Sequence, residues 1–301
     1  MRGDPMMLIE PQASPGFVET PGIKALVDRA LIYLEVGLAV NLSGPSGVGK
    51  TTLALHVAGQ LGRPVVFISG DEQFRSGDMM GGLFGYRRRR VVDNFVHSVL
   101  KTEDDLMERW VDSRLTMACK YGFTLVYDEF TRSRPEANNA LLTVLEEGMV
   151  VMPSMRGGEG YVRVDPRFRA IFTSNPLEYS GTHRPPDALR DRLVTLHLEY
   201  YDEETEISIT VARSGLDWDS AKWIVRLVTL GRAAKGLSAA VSTRGCIAIA
   251  RAMEARGMNP DPNDQLLYAV SRDVLTSGCT RMTGKEEAVV GEVWRKSFCS
   301  E

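Results

Sequence analysis

Cysteine is scarce and dispersed: four in 301 residues, at Cys119, Cys246, Cys279 and Cys299. No two form a CxxC pair, and no Cys/His cluster has zinc-ligand spacing, which argues against both a disulfide scaffold and a zinc-centred fold. Reduced, mostly buried thiols of a cytosolic protein are expected. The four histidines, His56, His97, His183 and His197, are scattered and read as structural. No window approaches the roughly 18 apolar residues that a membrane span requires. The N-terminus, MRGDPMMLIEPQASPG, has no apolar stretch after Arg2 and is broken by prolines, which does not fit a signal peptide. An excess of one charge is also missing. Lys+Arg number 36 against Asp+Glu 39, a net charge of -3. That balance argues against a protein whose main task is to coat nucleic acid. Internal repeats and low-complexity segments are lacking. A cytoplasmic location with no membrane partner is therefore expected.

What is present is the profile of a globular chain, 44% hydrophobic and 25% charged. Residues 1–16 read as a flexible tail. "IKALVDRALIYLEVGL" repeats apolar residues at helical spacing and closes on Gly37. Short apolar runs then alternate with helical stretches: "LAVNLSG", "PVVFIS", "FTLVYDE", "RAIFTS" and "LVTLHLE". Continuous apolarity predicts strands covered on both faces, and their alternation with helices predicts a parallel sheet of βαβ units. After Tyr200 the segments "DEETEISITVARSG", "DWDSAKWIVRLVTLGRAAKG", "STRGCIAIARAMEARG" and "NDQLLYAVSRDVLTSG" read as helices that end near glycines. The expected fold is α/β, with a nucleotide-binding domain over 17–200 and a small all-helical lid domain over 201–301. Insertions fall at about 76–100 and 149–168, the second reading as a hairpin with a Gly-rich turn.

One loop carries the chemistry. Gly44-Pro45-Ser46-Gly47-Val48-Gly49-Lys50-Thr51, followed by Thr52, matches GxxxxGK[ST] in full, after a predicted strand and at the start of a predicted helix. Glycines let the backbone curl so that its N–H groups face phosphate oxygens, and the helix N-terminus adds a positive dipole end. Lys50 would neutralise the β/γ-phosphates of ATP, and the Thr51 hydroxyl would ligate Mg²⁺. In "TLVYDE" an apolar run meets two carboxylates at a strand's C-terminal end, the edge where parallel sheets bind ligands. Asp128 would hold the Mg²⁺, and Glu129 would act on the attacking water as general base or as its positioner. "IFTSNP" sets Asn175 at a third strand end. "PPDALRDRLVT" puts Arg190 and Arg192 before the last strand, where Arg192 is the stronger candidate for an arginine finger acting on a neighbouring subunit. "VSTRGCIAIARA" places Arg244 near a helix start, within reach of the γ-phosphate on domain closure.

Gly44–Thr51, Asp128–Glu129, Asn175, Arg192 and Arg244 follow the order of Walker A, Walker B, sensor 1, arginine finger and sensor 2, so the chain resembles an AAA+ ATPase. "DEFTRSRPEANNALLTVLEEG" resembles the MoxR branch of that superfamily. The same stretch with "RAIFTSNPLEYSGTH", "DALRDRLVTLHL" and "RRRRVVDNFVHSVLKTEDDLMERWVDSRLTMAC" resembles the gas-vesicle GvpN group, over roughly residues 17–250. CbbQ and NirQ, which act on metalloenzymes, are further relatives. The resemblance implies ATP and Mg²⁺ as cofactors and a ring of identical subunits, expected to be a hexamer. Its clients would be gas-vesicle shell or accessory proteins, with association to the vesicles. It also implies that Phe17 and Val18 pack against adenine, and that Phe84, Tyr86 and Arg87–Arg90 touch the client. The Gly- and Arg-rich 81–90 stretch and the tail after about 258 depart from the group's pattern. Activation of a metalloenzyme, a DNA-handling ATPase and a scaffold with negligible turnover are the competing readings.

Overall fold

In the computed structural model, Ala39–Ser43 (β2) is buried at all five positions, as a strand covered on both faces must be. The structure describes residues 8–9, 16–74, 79, 81–87, 106–151, 160–176, 183–234, 237, 241–279 and 284–299. Val65–Ser69 (β3), Thr124–Asp128 (β6), Arg169–Ser174 (β9) and Leu193–His197 (β10) join β2 in one parallel sheet, in the order β3-β6-β9-β2-β10. Each of the five falls within an apolar run expected as a strand. Leu8–Ile9 (β1), within the stretch expected as a loose tail, instead pairs antiparallel with Val66 and Val65 at the sheet edge.

Alternation along each strand divides the core in two. Leu125, Tyr127, Ala170 and Phe172 point to one face. There they meet helices Arg114–Tyr121 (α3) and Pro135–Glu146 (α4). Val40, Leu42, Val126 and Ile171 point to the other face, covered by Pro21–Glu35 (α1) and Lys50–Gln60 (α2). In α1 the buried residues Ile23, Val27, Ala30 and Leu34 recur every three or four positions, the stripe a surface helix needs. The register places Ser43 beside Ser174 and His197, and Ser69 beside Asp128. The carboxyl ends of the strands are therefore level, and the loops leaving β2, β6 and β9 emerge side by side.

The insertions form antiparallel ribbons. The first, expected over about 76–100, reaches further: Gly81–Arg87 (β4) pairs with Leu106–Asp112 (β5). Residues 88–105, with most of the Arg87–Arg90 run and His97, lie outside the described residues, as do the side chains of Phe84 and Tyr86. Met149–Val151 (β7) pairs with Tyr161–Arg163 (β8), and the intervening turn lies outside the described residues.

After a short helix Asp187–Arg190 (α5) and β10, only helices follow as described regular elements: Glu203–Ser214 (α6), Trp218–Ala233 (α7), Thr243–Arg256 (α8), Gln265–Leu275 (α9) and Gly284–Phe298 (α10). Asp202, Asp217 and Asp264 cap α6, α7 and α9 by accepting backbone N–H bonds. Those bonds hold the Asp202 and Asp217 carboxyls below their usual range. The helices bury their own cluster, with Ile224, Leu227, Ile249 and Met253 at its centre. Trp223 meets Trp294 edge-on at 5.6 Å. The sequence reading assigned no element to α10. Its buried positions, Val290, Val293, Trp294 and Ser297, supply the Trp294 and Ser297 contacts to Trp223.

Candidate nucleotide site

The loop between β2 and α2 depends on two backbone conformations that side chains resist. Gly47 and Gly49 have φ 78° and 84°, the left-handed region open to glycine. A Cβ on Gly47 would lie 2.1 Å from Ser242 Oγ, so the loop touches the residue that opens α8. Helix α2 begins at Lys50, which aims its first free N–H groups and positive dipole end at the loop. Lys50 is itself buried. Its Nζ donates to Gly44 O at 2.8 Å and to Pro45 O at 2.7 Å. The ammonium is thus held inside the curl, where a phosphate chain would run.

Across the gap, Asp128 ends β6. Its Oδ1 accepts from Thr51 Oγ1 at 2.7 Å and from Thr173 Oγ1 at 2.6 Å. Among the described residues no group of three or more His, Cys, Asp or Glu is placed to hold a metal ion. One carboxylate and one hydroxyl are nevertheless the hard-oxygen donors that suit Mg²⁺, which keeps several waters and takes other ligands from substrate phosphates. The residues present therefore fit a magnesium–nucleotide complex.

Glu129 follows with φ 50° and ψ 41°, the one non-glycine residue with positive φ among the described residues. Its N–H donates to Thr173 Oγ1 at 2.8 Å, and its Oε2 lies 2.9 Å from Arg132 Nε. A Cβ at Gly70 would stand 2.2 Å from Glu129 O, so this close approach needs the glycine. Thr173, which joins the two acidic residues, was not singled out in the sequence. Its signal was one of two adjacent hydroxyls, Thr173 and Ser174, at the end of a strand.

A cavity of about 380 Å³ runs between this edge and the helices. Ser46–Thr52 and Glu129 line one end, and Arg244 and Thr243 face them from α8. Phe17, Val18, Ile23, Tyr201, Ile209 and Ile247 form an apolar stretch, and Arg213 and Arg251 complete the wall. Phe17 stacks on the buried His56 at 3.7 Å and 11°, and His56 Nε2 lies 3.3 Å from Glu19 Oε1. The strap before α1 is thereby fastened to α2. Burial raises the Tyr201 hydroxyl to about 12, so it stays protonated at neutral pH.

Gly44, Pro45, Asp128 and Asn175 are not part of the lining. Asn175 is buried just beyond β9. Arg192 is also absent from the lining. It bonds to Glu146, the first of the paired glutamates at the end of α4, and to Ala188 O, while Arg190 pairs with Asp187 at 3.2 Å. Arg213 and Arg251 were not anticipated. They lie one turn beyond Ile209 and Ile247, a phase that shows only once both helices are known to face the cavity.

Behind Arg244 lies a buried polar group that the sequence did not reveal. Glu206, 1% exposed, accepts from Arg232 Nη2 at 2.7 and 3.0 Å and from Thr243 Oγ1 at 2.6 Å. Arg232 Nε donates to Val241 O at 2.9 Å, and its guanidinium lies 4.2 Å from the centre of the Tyr200 ring. The start of α8 and the segment leaving the sheet are thus held by one ion pair.

Known proteins resemble this chain in sequence and in fold. Residues 39–193 match the AAA domain family, dynein-related subfamily. The chain is 45% identical to "Gas vesicle ATPase GvpN" of Ancylobacter aquaticus over 89% of its own length and 75% of that protein. It is 44% identical to the Haloferax mediterranei protein of the same name, over 89% and 76%. NorQ of Paracoccus denitrificans is more distant, at 29% identity over 82% of this chain and 85% of that one. Among solved structures, the RuvB Holliday junction branch migration motor of Thermotoga maritima superposes with a TM-score of 0.51. It shares 17% identity over 87% of this chain and 71% of that chain, a likeness of fold.

Proposed function

We propose a function from this premise: the chain belongs to the GvpN family of gas vesicle ATPases and is an ATP-hydrolysing P-loop enzyme of the AAA+ class. In our reading it couples hydrolysis to the remodelling of protein clients during gas-vesicle assembly or enlargement. The observation that carries the hydrolytic part is the convergence of Thr51 and Thr173 on Asp128, opposite the Lys50 loop and beside Glu129. The vesicle client rests on the names of the relatives at 44–45% identity.

Lys50 would leave its loop carbonyls for the β/γ-phosphates, since a charged oxygen is the stronger acceptor. Thr51 and Asp128 would hold Mg²⁺, which when bound neutralises charge developing on the transferred phosphoryl group. Glu129 would orient the attacking water. Phe17, Val18 and Ile209 would enclose the base, and Tyr201 adds apolar wall. Arg244 would meet the γ-phosphate from α8 in the same subunit. Arg192, outside the cavity, would act on the nucleotide of a neighbour, which requires a ring; a hexamer is our reading. Residues 201–301 would serve as the lid, and Asn175 with Arg244 would convert phosphate loss into lid movement that the two ribbons deliver to the client.

The test is complementation. A strain in which deletion of this gene abolishes gas vesicles receives either the wild-type chain or Glu129→Gln. Wild type should restore vesicles, and the variant should bind ATP yet leave cells without them. Full restoration by Glu129→Gln would refute the coupling of hydrolysis to vesicle formation.

A further inference from the structure

We infer that Glu206 is a positioning residue for Arg244: acting through Thr243, it fixes the first turn of α8 so that the Arg244 guanidinium meets the γ-phosphate. This rests on the γ-phosphate role given to Arg244 above. Arg244 lines the cavity with an exposed side chain. Its neighbour Thr243 is only 5% exposed. A long, exposed side chain keeps its rotamer freedom, so where its charge goes depends on the backbone beneath it.

That backbone is secured in an unusual way. Ser242, at the N-cap of α8, makes no side-chain capping bond, although serine there commonly does. Instead Thr243 Oγ1 donates to Glu206 Oε1 at 2.6 Å, and Arg232 Nε donates to Val241 O at 2.9 Å. Glu206 and Arg232 are joined at 2.7 Å. One ion pair thus grips both the residue that opens α8 and the chain two residues before it. From the front, Ser242 abuts the phosphate loop, where a Cβ on Gly47 would stand 2.1 Å from its Oγ. Glu206 is anchored in turn. Thr205 Oγ1, beside it in α6, donates to Thr20 Oγ1 at 3.0 Å, and the Thr205 N–H donates to Asp202. Stability alone does not call for charge at this point. The Glu206 and Arg232 side chains are 2% and 15% exposed, and apolar residues of like volume are often as stable as a buried ion pair. What apolar residues lack is direction. A carboxylate that accepts from Thr243 along a set line fixes the rotation of α8 about its axis as well as its distance. Neither Glu206 nor Arg232 lines the cavity, so their effect on a nucleotide passes through α8.

The experiment measures binding of two probes to the full chain in its purified oligomeric state by titration calorimetry. The probes are ADP and the β,γ-imido analogue of ATP, each with Mg²⁺. Only the second carries a γ-phosphate, so the ratio of affinities reads the Arg244 contact, and ADP affinity reads the integrity of the site. Arg244→Ala should weaken the analogue by about ten- to a hundredfold, as loss of a charge-assisted bond does, and leave ADP unchanged. Thr243→Val keeps both buried charges and removes one hydroxyl. It should weaken the analogue by about three- to tenfold, again without change in ADP. Thr243→Ser, which retains the hydroxyl, should bind both probes as wild type does. Glu206→Gln, a weaker neutral acceptor, should lower the ratio in the same direction. Thr243→Val/Arg244→Ala should match Arg244→Ala. An unchanged ratio in Thr243→Val or Glu206→Gln, a loss shared equally by ADP, or a further loss in the double variant would overturn the positioning role and leave the Arg244 contact standing. So would a Thr243→Ser variant as weak as Thr243→Val. A wild-type ratio in Arg244→Ala would instead overturn the contact itself, and the positioning role with it.

Discussion

Two loops meet at the carboxyl edge of the same sheet and solve the same backbone problem in opposite ways. The loop after β2 must turn its N–H groups inward, and it places glycine at both left-handed positions, Gly47 and Gly49. The loop after β6 also turns left-handed, but the residue there is Glu129. The first loop uses the one residue that adopts the conformation freely. The second needs a particular side chain at that point, accepts the strain, and offsets it with Thr173, Gly70 and the buried Tyr127–Ser133–Asn138 group. On the roles proposed above, the contrast separates a binding loop, whose backbone does the work, from a catalytic loop, whose side chain does. Phosphate binding should therefore fail when the first loop is altered, and stability should improve when the second is relaxed.

The largest effect is expected at Lys50. Its ammonium already sits within 2.8 Å of two carbonyls of its own loop, so the loop is built around a cation. Lys50→Ala should weaken nucleotide binding by on the order of a hundredfold, as befits one or two charge-assisted hydrogen bonds. Titration of a fluorescent ATP analogue measures it. Unchanged affinity would show that the phosphates lie elsewhere.

Next in size is Gly47→Ala. The new methyl faces a positive φ and would sit 2.1 Å from Ser242 Oγ. Ser242 must move, and with it the start of α8, which carries Arg244. A loss of roughly 1–3 kcal/mol in stability is expected from strain and overpacking, with ATP binding weaker by about two- to tenfold if half of that amount opposes binding. Adding Ser242→Gly should recover part of both. If the double variant is no better than Gly47→Ala, the contact between loop and α8 is not what the glycine protects.

How much of this was legible beforehand depended on sequence distance. The five sheet strands, the phosphate loop and the Asp128–Glu129 pair could be read because each is a contiguous pattern with its own local physics. Thr173 could not, because it matters only once β9 lies beside β6 and brings it 2.6 Å from a residue 45 positions away. Glu206 and Thr243 are 37 positions apart. Glu206 looks like one of several acids opening α6 until the fold buries it. Leu8–Ile9 forms a strand only because β3 offers an edge, and nothing in a two-residue segment announces that. Composition hid Arg132 as well, since an arginine after "DEFT" reads as a solvated charge.

The smallest effect sharpens the comparison most. Glu129→Asn and Glu129→Gln both remove the carboxylate, and with it the ion pair to Arg132, so that loss cancels between them. They differ in how well the residue tolerates φ 50° and ψ 41°. Asparagine is several-fold enriched in the left-handed region because its short amide can bond locally, and glutamine is not. Glu129→Asn should therefore be the more stable of the two by about 0.5–1 kcal/mol, roughly 1–3 °C in Tm for a chain of this size. Neither should hydrolyse ATP appreciably. Differential scanning calorimetry of the pair, without nucleotide, reads the difference. Equal melting temperatures would mean that no strain is held at the catalytic turn, and the two loops would then differ only in their side chains.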